Sequence, residues 1–291
     1  MPTCRRTSKN KEVETIDRKL YDAVMGFAVG DALGVPYEFR QRGHFNCTGM
    51  IGYGTHSQPL GTWSDDTSML IATMASIKKN GGRVVTDDIR DNYRDWLIRG
   101  LYTPRGEVFD VGGTTARALR EWQPGRSERD NGNGSLMRVL PLAFCDCTDD
   151  DVRNVSAITH AHWISKEACV IYVNVAARLL AGEKIGDIIP TLDFQKPFER
   201  LRRIDRMGRG QIRSSGYVVD TLEAALWAVS HTGDWEKGYK NDVLHAVNLG
   251  DDTDTVGAVT GGLAGIIYGV DEARDWVDLL VNRQEIEKWL W

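Results

Sequence analysis

Apolar residues recur at spacings of three and four along most of this chain, and that period limits the folds open to it. Leu222, Ala225, Leu226 and Val229 form one such stripe, the pattern of a helix that buries one face. No stretch alternates strictly between apolar and polar residues, and no regular series of hairpin turns appears. The sequence therefore predicts an all-α fold, with helices near 18–34, 69–79, 87–100, 114–122, 149–161, 165–181, 216–231, 240–248, 253–269 and 271–291.

Length and composition favour one domain. The chain has 291 residues, of which 42% are hydrophobic and 26% charged, so it can bury a full core. No internal repeat and no Pro- or Ser-rich linker divides it. We expect a compact, single-domain, orthogonal many-helix bundle over residues 17–291, preceded by a polar, disordered N-terminal tail over residues 1–16.

Charge and cysteine content exclude several classes of partner. The net charge of −5 argues against bulk binding of nucleic acid through phosphate neutralisation. The longest uncharged stretch, residues 255–270, is too short and too weakly apolar to span a bilayer, so no membrane is expected. Five cysteines form no even disulfide framework, and no apolar signal segment stands at the start. These features predict a cytoplasmic protein.

Two acidic clusters stand at predicted helix starts. Residues 61–67 read GTWSDDT, and residues 250–255 read GDDTDT. Capping and the helix dipole explain one hydroxyl or carboxylate at each start. The additional carboxylates repel one another and require a cation, and hard divalent cations prefer oxygen ligands. Asp66 and Asp252 are 186 residues apart, so the two clusters could share a cation only if the fold brings them together.

Two other interpretations apply to the second cluster. Residues 252–256 superficially fit the Asp-x-Asp element of haloacid-dehalogenase-type phosphatases, which would require a parallel sheet. Here the element follows a helical-looking run, and only 36 residues come after Thr255. An EF-hand loop counted from Asp252 would need a glutamate at its twelfth position, where Leu263 stands.

The helix predicted after the second cluster is rich in glycine, and each glycine costs about 1 kcal/mol relative to alanine in a helix. Such a helix persists only where it is buried and its small residues let a neighbouring backbone approach. We therefore expect residues 253–269 to form a central helix that holds the second cluster rigidly.

Five motifs, taken in order, resemble those of the ADP-ribosylglycohydrolases, and most of all the bacterial dinitrogenase-reductase-activating branch. They are GDALGVPYEF at 30–39, SDDT at 64–67, NGSLMR at 133–138, TH at 159–160 and DTDT at 252–255. The resemblance runs from about residue 18 to 280. It implies an all-α fold, two Mg²⁺ or Mn²⁺ ions, and hydrolysis of the bond between ADP-ribose and a modified side chain. On this basis we expect the two acidic clusters to converge and to hold the two cations about 3.5–4 Å apart, the usual dinuclear spacing.

The resemblance also implies roles for particular residues. Hydroxyl and carboxylate side chains of the two acidic clusters match the metal ligands, namely Ser64, Asp65, Asp66, Asp252, Asp254 and Thr255. The family often has Thr at the position of Ser64. Glu38 matches a functional glutamate, expected to position water or move a proton, and Asp110 resembles an aspartate near the substrate. The substrate-binding residues would be Asn133, Gly134, Ser135, His160 and Tyr217.

Structural roles remain open for several of these residues. Asp110 could cap the helix that starts near Thr114, and Tyr217 could pack in the core rather than stack on substrate. The Asn133-Gly134 pair could be only a turn. His160 could be a buried structural histidine, and the other five histidines are expected to be structural. The basic segment 196–213 is either a solvated face or a surface that attracts an anionic substrate.

The predicted function is metal-dependent removal of ADP-ribose from protein side chains, with arginine as the favoured linkage. Serine linkage and small ADP-ribose esters are alternatives. A different hypothesis is a non-catalytic ADP-ribose reader, or an immunity protein that binds and blocks an ADP-ribosyltransferase toxin. The expected partners are accordingly an ADP-ribosylated protein and, under the second hypothesis, a cognate transferase.

Overall fold

A computed structural model describes residues 5–231 and 236–291 of the chain, with side chains from residue 17 onward. The α-helices of this part are α1 (Arg5–Gly34), α2 (Asp65–Lys79), α3 (Thr86–Arg99), α4 (Gly113–Glu121), α5 (Asp149–Ala157), α6 (Trp163–Leu180), α7 (Ile185–Ile188), α8 (Val218–Ser230), α9 (Tyr239–Val247), α10 (Thr253–Tyr268), α11 (Arg274–Val277) and α12 (Arg283–Glu287). Short 3₁₀ segments link them at Val35–Tyr37, Gly54–His56, Glu128–Asp130, Asn133–Arg138, Leu140–Phe144, Ile189–Thr191, Phe198–Arg206, Arg209–Gln211 and Asp271–Ala273.

The all-α prediction is confirmed. Within the residues just given, the only β-type pairings are isolated bridges such as that between Gly132 and Tyr217. A parallel sheet is therefore missing from the described chain, and the phosphatase interpretation is wrong. The division into a tail over 1–16 and a domain over 17–291 falls partly outside the described residues and stays a prediction.

Helices α1 and α10 run antiparallel through the centre of the molecule and touch backbone to backbone. A Cβ atom added at Gly30 would lie 2.0 Å from the carbonyl oxygen of Gly257, and one at Gly261 would lie 2.2 Å from that of Gly26. Only glycine permits such an approach. The contact confirms that the glycine-rich helix is central, and residues 253–266 of α10 are all buried.

This contact brings the end of α1 against the start of α10. Gly34 lies against Asp254, and the hydroxyl of Thr253 donates a hydrogen bond to the Gly34 carbonyl oxygen at 2.7 Å. The remaining helices pack around this pair, and α2, α6, α8 and α9 all contact α10. Trp63 and Trp227 are fully buried.

The prediction of one helix over 271–291 is wrong, because the segment is divided into a 3₁₀ turn, α11 and α12. Between α11 and α12 the backbone turns to bind the loop before α2. The Val281 N–H donates to the Gly61 carbonyl at 2.9 Å, and the Trp63 indole N–H donates to the Val281 carbonyl at 2.8 Å. The break therefore anchors the loop that carries the first acidic cluster.

The basic segment 196–213 makes contacts within the chain. Arg200 forms an ion pair with Glu223 at 2.9 Å, and Arg202 with Asp193 at 3.1 Å. Arg209 donates to the Asn248 carbonyl at 2.5 Å. These contacts favour a structural role for the segment. Separately, no helix in the described part of the chain is both long and apolar enough to cross a membrane.

Replacing Gly30 by alanine should destabilise the protein by about 3 kcal/mol, because the new methyl group would overlap the Gly257 backbone. Urea-induced unfolding measures the change. Gly186→Ala is the matched control, since a Cβ atom there meets nothing within 4 Å. Equal unfolding midpoints for the two variants would contradict the close packing of α1 on α10.

Candidate metal centre and active site

Asp31, near the end of α1, holds the backbone of the first acidic cluster through hydrogen bonds. Its fully buried carboxylate accepts hydrogen bonds from the Ser64 N–H at 2.9 Å, the Thr67 N–H at 3.0 Å and the Thr67 hydroxyl at 2.6 Å. Burial raises the pKa of Asp31 to about 6. Asp31 has no assigned role in the sequence analysis. Its functional importance could have been inferred from its position, because it places a carboxylate on the apolar face of a helix, four positions after Phe27.

The start of α2 is capped without help from its carboxylates. Ser64 is the N-cap, and its hydroxyl accepts a hydrogen bond from the Asp66 N–H at 3.2 Å. Asp65 and Asp66 follow and are both buried. Burial and then neighbouring carboxylates raise their pKa values well above the usual range. These two carboxylates are therefore available for a ligand, as the sequence analysis expects.

The second cluster lies at the start of α10. One oxygen of Asp252, Oδ2, accepts a hydrogen bond from the Asn133 amide at 2.9 Å. Asp254 accepts one from the Thr255 N–H at 2.8 Å. Asp251 precedes them in a left-handed conformation, is exposed and takes no part in the cluster, which agrees with its lack of an assigned role.

The two clusters meet at Asp254. Ligand atoms of Asp31, Asp66 and Asp254 lie within 4.8 Å of one another, and so do those of a second group comprising Glu38, His56, Asp110 and Asp254. The prediction that the clusters converge is confirmed. Asp31 differs from its neighbours, because both of its oxygens already accept hydrogen bonds from Ser64 or Thr67. These bonds give Asp31 a role in positioning the start of α2.

Unpaired oxygens test whether divalent cations fit this site. Asp66 Oδ1 and Asp252 Oδ1 are buried and have no hydrogen-bond partner among the described residues. Buried polar atoms without partners are rare in folded proteins. Carboxylates crowded at this depth require protons or cations, and an all-oxygen donor set of this kind suits Mg²⁺ or Mn²⁺.

A cavity of about 260 Å³ opens next to the carboxylates. Asp65 and Asp252, which lie far apart in the sequence, both line it. Its other walls come from the loop before α2, the start of α4 with the loop before it, the Asn133–Arg138 segment with the residue before it, the loop between α5 and α6, the turn before α8 and the start of α10. The residues are Glu38, Phe39, Asp110, Gly112, Gly113, Thr114, Thr115, Gly132, Asn133, Gly134, Met137, His160, Gly216 and Thr255. Each of the five motifs thus contributes at least one residue to the cavity wall.

Glu38 and His56 form a hydrogen-bonded pair at this cavity. Glu38 follows the Val35–Tyr37 segment, and its buried carboxylate contacts His56 Nε2. Burial raises the pKa of Glu38 to about 7, although the His56 hydrogen bond opposes the shift. The same bond raises the pKa of His56. His56 also lies 3.9 Å from Asp110, so the expectation of a purely structural histidine missed its place beside two site carboxylates.

The predicted substrate-binding residues separate into two sets. Asn133, Gly134 and His160 line the cavity, whereas Ser135 and Tyr217 do not. The Ser135 hydroxyl is fully buried and accepts a hydrogen bond from Ser156 at 3.0 Å. Tyr217 is half-buried at the start of α8, next to Gly216 in the cavity wall. The roles given to these five residues stay predictions.

A hydrogen-bond chain leads from Arg138 through Thr159 to His160. Arg138, buried and also overlooked in the sequence, donates to the Thr159 hydroxyl at 2.8 Å, and that oxygen lies 2.7 Å from His160 Nδ1. Because the Thr159 oxygen already accepts from Arg138, the arrangement favours donation of the Thr159 proton to Nδ1. Burial lowers the pKa of His160 to about 3, which keeps the ring neutral. Its Nε2 therefore carries a proton beside Gly132, in the cavity wall.

Removing one negative charge from either cluster should weaken binding of Mn²⁺. We expect Asp66→Asn and Asp252→Asn to raise the dissociation constant at least about tenfold, since each loses a buried, unpaired ligand oxygen of full charge. Isothermal titration calorimetry measures the change, with Asp251→Asn as the adjacent control. Equal affinity for all three variants would remove the metal assignment.

Metal should also stabilise the native protein. At a free Mn²⁺ concentration about 100 times the dissociation constant, the expected gain is about 2.7 kcal/mol. Thermal unfolding with and without a chelator measures it, and the gain should vanish in a variant carrying both Asp65→Ala and Asp254→Ala. A melting temperature that does not respond to metal would contradict the fit argued above.

His160 should remain neutral and protonated on Nε2 between about pH 5 and 8, where an unperturbed histidine titrates. Long-range ¹H–¹⁵N spectra of the imidazole report both properties. Thr159→Val, which removes the donor to Nδ1, should alter the tautomer signal, whereas Thr159→Ser should keep it. A His160 ring that titrates near its ordinary pKa would contradict the hydrogen-bond chain.

Comparison with known proteins gives one consistent result. The family model described as ADP-ribosylglycohydrolase matches residues 12–290. A protein of Serratia proteamaculans named ADP-ribosylarginine hydrolase Tri1 is 32% identical, with 94% of this chain and 78% of that protein covered. The ADP-ribosyl-[dinitrogen reductase] glycohydrolase of Rhodospirillum rubrum is 31% identical, with 93% and 92% covered. A solved structure titled ADP-ribosylglycohydrolase-related protein complex superposes with a TM-score of 0.77 at 31% identity and covers 95% of this chain and 96% of its own. With both acidic clusters converging on one cavity, these matches over nearly the whole length show that the chain belongs to the ADP-ribosylglycohydrolase family.

Proposed function

We propose that this protein is a metal-dependent hydrolase that releases ADP-ribose from modified arginine side chains of other proteins. The observation that carries the proposal is the convergence of both carboxylate groups at Asp254, beside a cavity that Asn133, Gly134 and His160 also line. The names of the relatives from Serratia proteamaculans and Rhodospirillum rubrum support removal of ADP-ribose, and the first name supports arginine linkage.

The cofactor we propose is a pair of Mg²⁺ or Mn²⁺ ions. The residues that would hold them are Ser64, Asp65, Asp66, Asp252, Asp254 and Thr255. When bound, the ions would neutralise the crowded carboxylates and provide Lewis acidity to oxygen atoms of the ribose and of a water molecule. Asn133 would keep Asp252 oriented, because its amide already donates to one carboxylate oxygen.

Glu38 is the residue that we expect to position the water molecule or to move its proton. A general acid or base works best when its pKa lies near the working pH, and burial raises that of Glu38 to about 7. His56 holds the carboxylate in place through its hydrogen bond. Hydrolysis of a glycosidic bond develops positive charge on the sugar in the transition state, and the surrounding carboxylates favour that charge.

The remaining groups would bind the two ends of the substrate. His160 offers one N–H donor toward the cavity, which suits an acceptor oxygen of the diphosphate or a nitrogen of the adenine. Asp110 is partly exposed at the same cavity and would face the leaving guanidinium, a planar cation that pairs well with carboxylates. Serine-linked and small ester substrates offer no such cation. The described cysteines Cys47, Cys145, Cys147 and Cys169 are free thiols, which supports the cytoplasmic location we propose.

The test is release of ADP-ribose from an arginine-ADP-ribosylated protein in the presence of Mg²⁺. Glu38→Gln keeps the shape but cannot accept a proton, and should lower kcat by about 10²–10⁴-fold. The exposed Glu199→Gln is the control and should act like the wild type. A serine-linked substrate run in parallel reports the linkage preference.

Two results would count against this function. A wild-type rate in the Asp65→Ala, Asp254→Ala double variant would exclude metal-dependent catalysis. Protection of cells against an ADP-ribosyltransferase by an inactive Glu38→Gln variant would instead favour the blocking role, in which the protein binds its cognate transferase.

A further inference from the structure

Phe39 is an exposed aromatic residue in the wall of the cavity. Its side chain is 69% exposed although it borders the buried carboxylates, and it directly follows Glu38. Its backbone is left-handed, with φ of 62°, which is unusual for a bulky residue and costs about 1–3 kcal/mol. Neither the exposure nor the strained backbone contributes to the stability of the fold.

The strained conformation is held by the neighbouring loop. The Phe39 N–H donates to the Asp251 carbonyl at 2.7 Å, and the Asp251 N–H donates to the Arg40 carbonyl at 2.9 Å. Asp251 immediately precedes Asp252 of the second cluster. The Phe39 backbone is therefore attached to the loop that leads into the carboxylates proposed to hold the metal ions.

The surroundings of the ring suit a planar cation. The Phe39 and Phe109 rings lie 6.1 Å and 5.6 Å from the His56 ring, centroid to centroid. His56 in turn contacts Glu38 and lies 3.9 Å from Asp110. Aromatic faces attract guanidinium groups through their negative quadrupole, while carboxylates accept the N–H bonds at the edge of the same group.

From this geometry we propose that Phe39 is a specificity-determining residue that receives the guanidinium plane of the modified arginine. The inference rests on the proposed function and deepens it. A serine adduct has neither a plane nor a positive charge at this point, so it would gain little from the ring. Phe39 thereby separates arginine-linked from serine-linked substrates without contributing to the binding of ADP-ribose itself.

Tyr53 provides a matched control. It is 68% exposed and left-handed, with φ of 68°, but it does not line the cavity. We expect Phe39→Leu to lower kcat/KM on an arginine-ADP-ribosylated protein by about 5- to 30-fold, the range of a cation–π contact. The rate on a serine-ADP-ribosylated peptide and the affinity for free ADP-ribose should stay within about twofold of the wild type. Tyr53→Leu should change none of these, and Phe39→Trp should keep the preference for arginine.

Substituting glycine for Phe39 and for Tyr53 separates the effect of the lost ring on activity from the effect of the relieved backbone strain on stability. Phe39→Gly relieves the left-handed backbone and should leave the free energy of unfolding unchanged or higher while the arginine rate falls. Tyr53→Gly should stabilise in the same way with no loss of rate. A loss of stability in Phe39→Gly would instead give the ring a structural role and overturn the inference.

The remaining outcomes are distinct. Equal losses of Phe39→Leu on both linkages, or weakened binding of ADP-ribose, would overturn the specificity role while leaving the hydrolase intact. A wild-type protein that hydrolyses neither linkage would overturn the proposed function, and the inference with it.

Discussion

The backbone contact between α1 and α10 is the constraint on which the site depends. Gly30 against Gly257 and Gly26 against Gly261 leave no room for a side chain, so the two helices touch backbone to backbone. This contact places Asp31, near the end of α1, against Asp254, at the start of α10. A larger residue at any of these positions would separate the helix ends and with them the two carboxylates.

Burial then divides the carboxylates into two kinds. Asp31 is surrounded by donors from α2 and serves as an anchor for that helix. Asp66 is equally buried, but one of its oxygens has no partner, because Ser64 already caps the helix. The energy of packing α1, α2 and α10 together maintains this unfavourable concentration of charge, which binding of cations would relieve. The same principle applies at Phe39, whose strained backbone is maintained by the Asp251 loop.

Most of the predicted site residues lie at the cavity. The sequence could identify them because Glu38, Asp65, Asn133, His160 and Asp252 stand in motifs that are recognisable from neighbouring residues alone. The residues that sequence reasoning missed act through partners that are distant in the sequence. His56 stands in no motif, and only its contact with Glu38 gives it a role. Arg138 stands inside a motif, but its function depends on reaching Thr159. The prediction of a single helix over 271–291 is wrong for a related reason, because the Val281 N–H donates a hydrogen bond to the distant Gly61 carbonyl.

The sequence by itself determined the helical fold, the burial of the glycine-rich α10 and the surplus of carboxylates that calls for cations. These properties follow from periodicity, propensity and charge within one helix or turn, and they depend only on residues that are close in the sequence. Only the tertiary structure decided that both clusters meet at Asp254, that Glu38 pairs with His56, that Asp31 anchors the start of α2, and that the exposed Phe39 ring lines the same cavity as Asp110. Those arrangements depend on how distant helices cross, and the crossing is set by the burial of surfaces that no single segment contains.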